Sequence, residues 1–82
     1  MRLRNATVAA LRQLDRDPDW DTRDARAALV RSSLRTAASA PPGVLYSLVE
    51  QAIADLNAFT TPAPPTPALT ELRMRWTAAT PA

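Results

Sequence analysis

The positions of the prolines constrain the fold of this chain more than any other feature. Prolines occur at residue 18, at residues 41 and 42, four times within 62–67, and at residue 81. A proline inside a helix removes a hydrogen bond and clashes with the preceding turn. The intervals between them contain one glycine, Gly43, and no stretch of alternating branched residues typical of a strand. The chain is therefore predicted to be all-α, with its helices in the proline-free intervals.

Apolar residues recur at helical spacing within these intervals. The first predicted helix spans about residues 3–15, and the second spans about 22–39 with small residues on its apolar side. The third, at about 42–59, has the most regular pattern, with apolar residues at i, i+3, i+4 and i+7. The fourth runs over about 67–77, with Thr66 as its N-cap and a proline in its first turn.

These helices predict a small three-helix bundle over residues 1–59, a proline-rich linker at 60–67, and a C-terminal amphipathic helix with a frayed tail at 68–82. The linker sequence favours an extended polyproline conformation. The short C-terminal helix either folds back to close a four-helix bundle or projects to dock on a partner. We favour folding back, because an exposed Trp76 would promote aggregation.

The segment LDRDPDWDTRD at residues 14–24 is the closest approach to a metal-binding motif. Its first three alternating aspartates match the first three ligand positions of an EF-hand loop. The sixth position, where the turn needs glycine, is Trp20, and the ninth and twelfth positions are Arg23 and Arg26. We therefore expect no calcium site, and no metal ligands or cofactors are predicted.

Helix punctuation accounts for the same segment better. Asp21 is the predicted N-cap of the second helix, and Asp24 lies three residues later, where an acidic side chain completes a capping box. Trp20 and Ala25 then occupy the two positions of a hydrophobic staple. The segment is predicted to form the corner between the first two helices.

The missing residue types exclude most catalytic chemistry. The chain has no cysteine and no histidine, and all ten of its positive side chains are arginine. Disulfides, thiolate metal sites, histidine bases and Schiff-base lysines are therefore ruled out. No serine lies in a nucleophile-elbow context, so we predict that the protein is not an enzyme. Arginine without lysine, with abundant alanine and proline, suggests a bacterial or phage genome.

Charge gives limited support for nucleic-acid binding. The isoelectric point near 10.4 reflects arginine, while the net charge is only +2. The third helix would be the recognition helix of a helix-turn-helix, but its polar side is acidic, which phosphate repels. Arginine patches on the first two helices are the remaining candidates, formed by Arg2, Arg12 and Arg16 or by Arg31 and Arg35. Because aspartates are interspersed among them, we favour ordinary solvated faces.

The function that remains is a small non-catalytic protein–protein interaction module, acting as an adaptor, an assembly component or a regulator. Its partner is expected to be another protein or a second copy of the chain. An arginine-mediated regulator that binds nucleic acid is the alternative. No apolar run is long enough to span a membrane, and we expect a cytoplasmic location. The predicted protein-binding residues are Leu69, Leu72, Arg73, Trp76 and Tyr46.

Overall fold

The computed structural model describes residues 2–60 and 66–79, and the regular elements within these ranges are helical. The four α-helices are α1 (Leu3–Asp15), α2 (Ala27–Ala38), α3 (Pro42–Asn57) and α4 (Pro67–Ala78). A single 3₁₀ turn, Trp20–Thr22, lies between α1 and α2. The all-α prediction is confirmed. Residues 61–65 of the predicted linker and 80–82 of the predicted tail lie outside the described residues.

The helices are arranged in a ring, in which each contacts two neighbours. α1 packs against α2 and α4, and α3 packs against the same two helices from the opposite side. The α3–α4 contact is the least close of the four. As a result, α1 and α3 lie diagonally across the bundle, and the gap between α3 and α4 is the place where the ring is most open.

Each helix contributes one apolar stripe to a shared core. Two alanines of α1, Ala6 and Ala10, and two of α2, Ala27 and Ala37, are fully buried. The one buried polar side chain in the described residues is Thr7, whose hydroxyl donates to the carbonyl of Leu3 at 2.8 Å. The largest fully buried apolar side chains are Trp20, Leu14, Leu34, Leu72, Val30 and Val49.

The corner between α1 and α2 differs from its prediction. The second helix begins at Ala27 instead of at residue 22, and Asp21 lies in the 3₁₀ turn, where it pairs with Arg31. Trp20 does not form a staple with Ala25; it is buried, and its indole N–H donates to the carbonyl of Ala27 at 2.8 Å. Between Trp20 and Ala27 the chain forms turns, in which the backbone N–H of Arg23 donates to Trp20 and that of Ala27 donates to Asp24.

Asp24 also acts differently from the predicted capping box. Its carboxylate accepts hydrogen bonds from the backbone N–H of Arg26 at 3.0 Å and from the backbone N–H of Thr60 at 2.8 Å. The Thr60 hydroxyl donates to the same carboxylate oxygen as the Thr60 amide. Asp24 therefore ties the start of α2 to the segment that follows α3, a contact between residues 36 positions apart.

α4 folds back onto the other helices, as the favoured interpretation of the sequence expected. Leu69 and Leu72 are buried in the common core, and the side-chain carbonyl of Gln13 on α1 accepts the backbone N–H of Ala68 at 2.9 Å. That amide belongs to the first turn of α4, where it has no partner within the helix. The Cα radius of gyration, 11.7 Å, equals the value of about 11.7 Å expected for a compact chain of this length.

Candidate functional site

Two of the predicted binding residues, Tyr46 on α3 and Trp76 on α4, lie against each other. Their rings are stacked, with centroids 5.2 Å apart and planes inclined by 21°. Both side chains are half-buried. The sequence proposed them as separate candidates, and the fold brings them together across the gap between α3 and α4.

Leu69 and Leu72, which the sequence proposed as anchors for a partner, contribute to the chain's own core instead. They are only 5% and 1% exposed. A partner would reach them only after α4 had moved away from α1 and α3. Whether they ever serve as anchors stays a prediction, but the bundle already uses their apolar surface.

Arg73 lies on the same side of α4 as the aromatic pair and reaches α3. Its guanidinium donates to the side-chain carbonyl of Asn57 at 2.6 Å. This amide is neutral, and Arg73 forms no ion pair with any carboxylate in residues 2–60 or 66–79. Its positive charge is therefore positioned by the fold without being neutralised. The sequence identified Arg73 but placed Asn57 only on the polar side of its helix.

A narrow apolar groove lies beside these residues, where side chains of α2, α3 and α4 meet. Its apolar lining residues are at most 8% exposed, and the space between them is too narrow for a water molecule. Arg73 is the one charged residue in its lining. The groove is lined by Val30, Leu34, Ala52, Ile53, Leu56, Leu69, Leu72 and Arg73.

The arginines of α2, one of the alternative phosphate-binding patches, are engaged by the corner aspartates. Arg35 pairs with Asp15 at 2.9 Å, and Arg31 pairs with both Asp15 and Asp21. These contacts neutralise the charge of α2 from within the chain. The five aspartates of the corner are thus not gathered around a common point, and three of them face arginines.

Arg4 has a structural role that the sequence analysis missed. Its guanidinium donates to the carbonyls of Ala38 at 2.9 Å and Ala40 at 2.5 Å, at the C-terminal end of α2. Helix C-termini carry unpaired carbonyls and partial negative charge, so a cation is favourable there. A cation in the first turn of its own helix is unfavourable. That mismatch was the one sequence signal that Arg4 serves another element.

No helix among the described residues is both long enough and apolar enough to cross a bilayer. The chain matches no protein-family model, no curated protein and no solved structure at a significant level.

Proposed function

We propose that this chain is a non-catalytic protein–protein interaction module that receives an amphipathic helix of a partner protein at the groove between α3 and α4. The observation that carries the proposal is Arg73, positioned and unneutralised beside the stacked Tyr46–Trp76 pair at the least closely packed contact of the bundle. Helix-in-groove recognition uses an apolar stripe on the bound helix and polar contacts at the rim.

The narrowness of the groove disfavours a metabolite. Pockets for small molecules enclose about 300–1,000 Å³, whereas the space between the side chains of this groove does not admit a water molecule. Its lining offers one cationic group and no other polar side chain to orient a ligand. A partner helix would therefore lie across the rim of the groove, against the aromatic pair and Arg73.

The charge at the rim specifies the partner further. Arg73 is held by a neutral amide, so a carboxylate of the partner gains a full ion pair without displacing an existing one. Rim charges of this kind steer association and select partners more than they add affinity. The expected partner helix carries an apolar residue with an aspartate or glutamate about one turn away. The stacked Tyr46–Trp76 pair borders the same gap and offers aromatic surface, which interfaces are enriched in.

The test uses helical peptides of about twelve residues selected from a random phage-displayed library against the intact chain. We expect the enriched peptides to combine apolar and acidic residues, and to shift the amide signals of Ile53, Leu56 and Arg73 in ¹⁵N spectra. Arg73→Gln should weaken their binding about three- to tenfold, since a rim ion pair is lost.

Arg12→Gln, which removes the same charge from α1, is the matched control and should leave peptide binding unchanged. Peptides that bind Arg73→Gln as well as wild type, or shifts confined to other faces, would contradict the proposal. So would a homodimer in sedimentation that Arg73→Gln dissociates, because the occupant would then be a second copy of the chain.

A further inference from the structure

A row of exposed arginines runs along the outer side of α1. Arg2, Asn5, Ala9, Arg12 and Arg16 are spaced by three or four residues, so they share one side of the helix. The core-facing residues of α1, Ala6, Ala10 and Leu14, form a separate stripe along the helix. The three arginines and Asn5 are exposed to solvent.

The side chains of these three arginines differ from those of the other seven in having no partner among residues 2–60 and 66–79. Each of the other seven donates to a carboxylate, an amide or a backbone carbonyl of the chain. The guanidinium groups of Arg2, Arg12 and Arg16 form no hydrogen bond or ion pair with the part of the chain that the structure describes. The interspersed aspartates, which favoured an ordinary solvated face, turn to Arg23, Arg31 and Arg35 instead.

The remaining charge is distributed asymmetrically across the bundle. α3, which lies diagonally opposite α1, carries Glu50 and Asp55 and no arginine. The unpaired positive charge is therefore concentrated on α1, whereas the carboxylates of α3 are partly offset by Arg26 and Arg73, which reach its C-terminal end. A long polyanion is accordingly attracted most strongly to α1.

We propose that the outer side of α1 binds the phosphate backbone of a nucleic acid without sequence preference. At a rise of about 1.5 Å per residue, Arg12 and Arg16 lie about 6 Å apart along the axis, and Arg2 and Arg16 about 21 Å apart. A duplex carries one charge per about 1.7 Å, so it offers phosphates to all three arginines in any register.

An acidic peptide, in contrast, would need carboxylates at matching positions. Asn5 is the one further side chain in the row that can read a base edge, so sequence selection is not expected. This site lies on α1, which does not line the groove of the proposed function. The two proposals are therefore independent.

The test is fluorescence anisotropy of a labelled DNA duplex of about 20 base pairs and mixed sequence, at about 20 and 60 mM salt. With three phosphate contacts, this threefold rise in salt should weaken the binding of the wild-type chain about 20-fold. The Arg12→Gln/Arg16→Gln variant keeps one contact, so its binding should weaken only about threefold over the same range. The double variant should also bind more weakly than wild type at the lower salt. Sequence changes in the duplex should have little effect.

Arg26→Gln/Arg75→Gln removes the same charge outside α1 and outside the groove, and it should retain the wild-type salt dependence. Equal losses in both double variants would overturn the proposal, because net charge alone would then explain binding. The absence of binding at low salt would also overturn it. Equally tight, Arg12-dependent binding of poly-glutamate or of phosphatidylserine vesicles would show that the row serves an acidic protein or a membrane. The Arg12→Gln/Arg16→Gln variant should still bind the helical peptides. Its peptide binding therefore tests the groove separately from nucleic-acid binding by α1.

Discussion

Trp20 determines the corner between α1 and α2 because its indole ring combines a large apolar surface with a single hydrogen-bond donor. The ring is buried beside Phe59, with centroids 5.7 Å apart, and the N–H reaches the carbonyl of Ala27. The aspartates around it lie on the solvent side of the corner, where the carboxylates of Asp15, Asp17, Asp21 and Asp24 accept hydrogen bonds from donors of the described residues. The Asp17 carboxylate accepts a hydrogen bond from the Arg23 guanidinium at 2.9 Å and another from the backbone N–H of Asp19 at 3.0 Å. The burial of Trp20 thus leaves the neighbouring aspartates on the outer side of the corner.

These contacts predict loss of stability in acid. Hydrogen bonds from the backbone N–H of Arg26 and of Thr60 lower the pKa of Asp24, and the Arg23 guanidinium lowers the pKa of Asp17. Because the folded pKa lies below the unfolded one, the unfolded chain binds more protons as the pH falls. The stabilisation is complete above the unfolded pKa of about 3.9 and is lost as the pH falls through the folded value.

We expect the Tm to fall as the pH is lowered below about 4, and to fall less steeply in Asp24→Asn. Thermal unfolding followed by circular dichroism at several pH values measures both slopes. Asp19→Asn, which removes a carboxylate that accepts no hydrogen bond from the described residues, controls for the change in charge. An Asp24→Asn variant as acid-sensitive as wild type would show that the Thr60 contact does not form in solution.

α4 illustrates how a short helix depends on its neighbours. A helix of 12 residues is marginal by itself in water, since nucleation is costly and isolated helices need about 12–15 residues or more. Its first turn is supported by Gln13 from α1, and Leu69 and Leu72 are buried by the other helices. Arg4 supports the end of α2 in the same way, so helix termini in this bundle are completed by side chains from other elements.

Two substitutions on α4 separate its buried side from its exposed side. Leu72→Ala should lower the free energy of unfolding by about 2–5 kcal/mol, because it removes a buried side chain and leaves a cavity. Met74→Ala should change it by less than about 0.5 kcal/mol, since Met74 is 59% exposed. Urea unfolding of both variants gives the comparison. Similar values for the two would mean that α4 is not docked as described.

At the scale of the molecule, the ring of helices sets apart two surfaces with different chemistry. The gap between α3 and α4 has the apolar groove and Arg73, while α1 presents its row of arginines on another side. The core they share contains Trp20 near the corner, and Leu69 and Leu72 from the C-terminal helix. A common core predicts that the four helices unfold together.

Tryptophan fluorescence tests this cooperativity. In Trp20→Phe the remaining tryptophan, Trp76, reports on α4, whereas far-ultraviolet circular dichroism reports on all the helices. We expect the two signals to give the same urea midpoint, because undocking α4 exposes Leu69 and Leu72 of the shared core. A fluorescence midpoint at clearly lower urea would identify α4 as a separately unfolding unit.

Local patterns were sufficient where a structural element depends on neighbouring residues. The bounds of α1 and α4 and the start of α3 at Pro42 agree with the sequence prediction to within a residue or so, because proline and apolar spacing act over one or two turns. The start of α2 was predicted about five residues too early. The competing signals there, Asp21 and Asp24, were both suitable caps, and the choice depended on Trp20 and Thr60.

The candidate site could be predicted only in part for the same reason. The sequence identified Tyr46, Arg73 and Trp76 as amphipathic residues beside apolar stripes. They lie close together only because α4 folds back against α3, which is a contact between residues far apart in the chain. Composition excluded thiol, imidazole and lysine chemistry without any structure, since a missing side chain cannot be supplied by folding.

The sequence by itself therefore determined the helical class, most helix limits and the absence of these reactive groups. Tertiary structure alone decided which arginines are neutralised, which apolar residues are buried in the core, and where the groove lies. Those properties depend on distances between residues remote in sequence, and packing sets such distances where local periodicity does not.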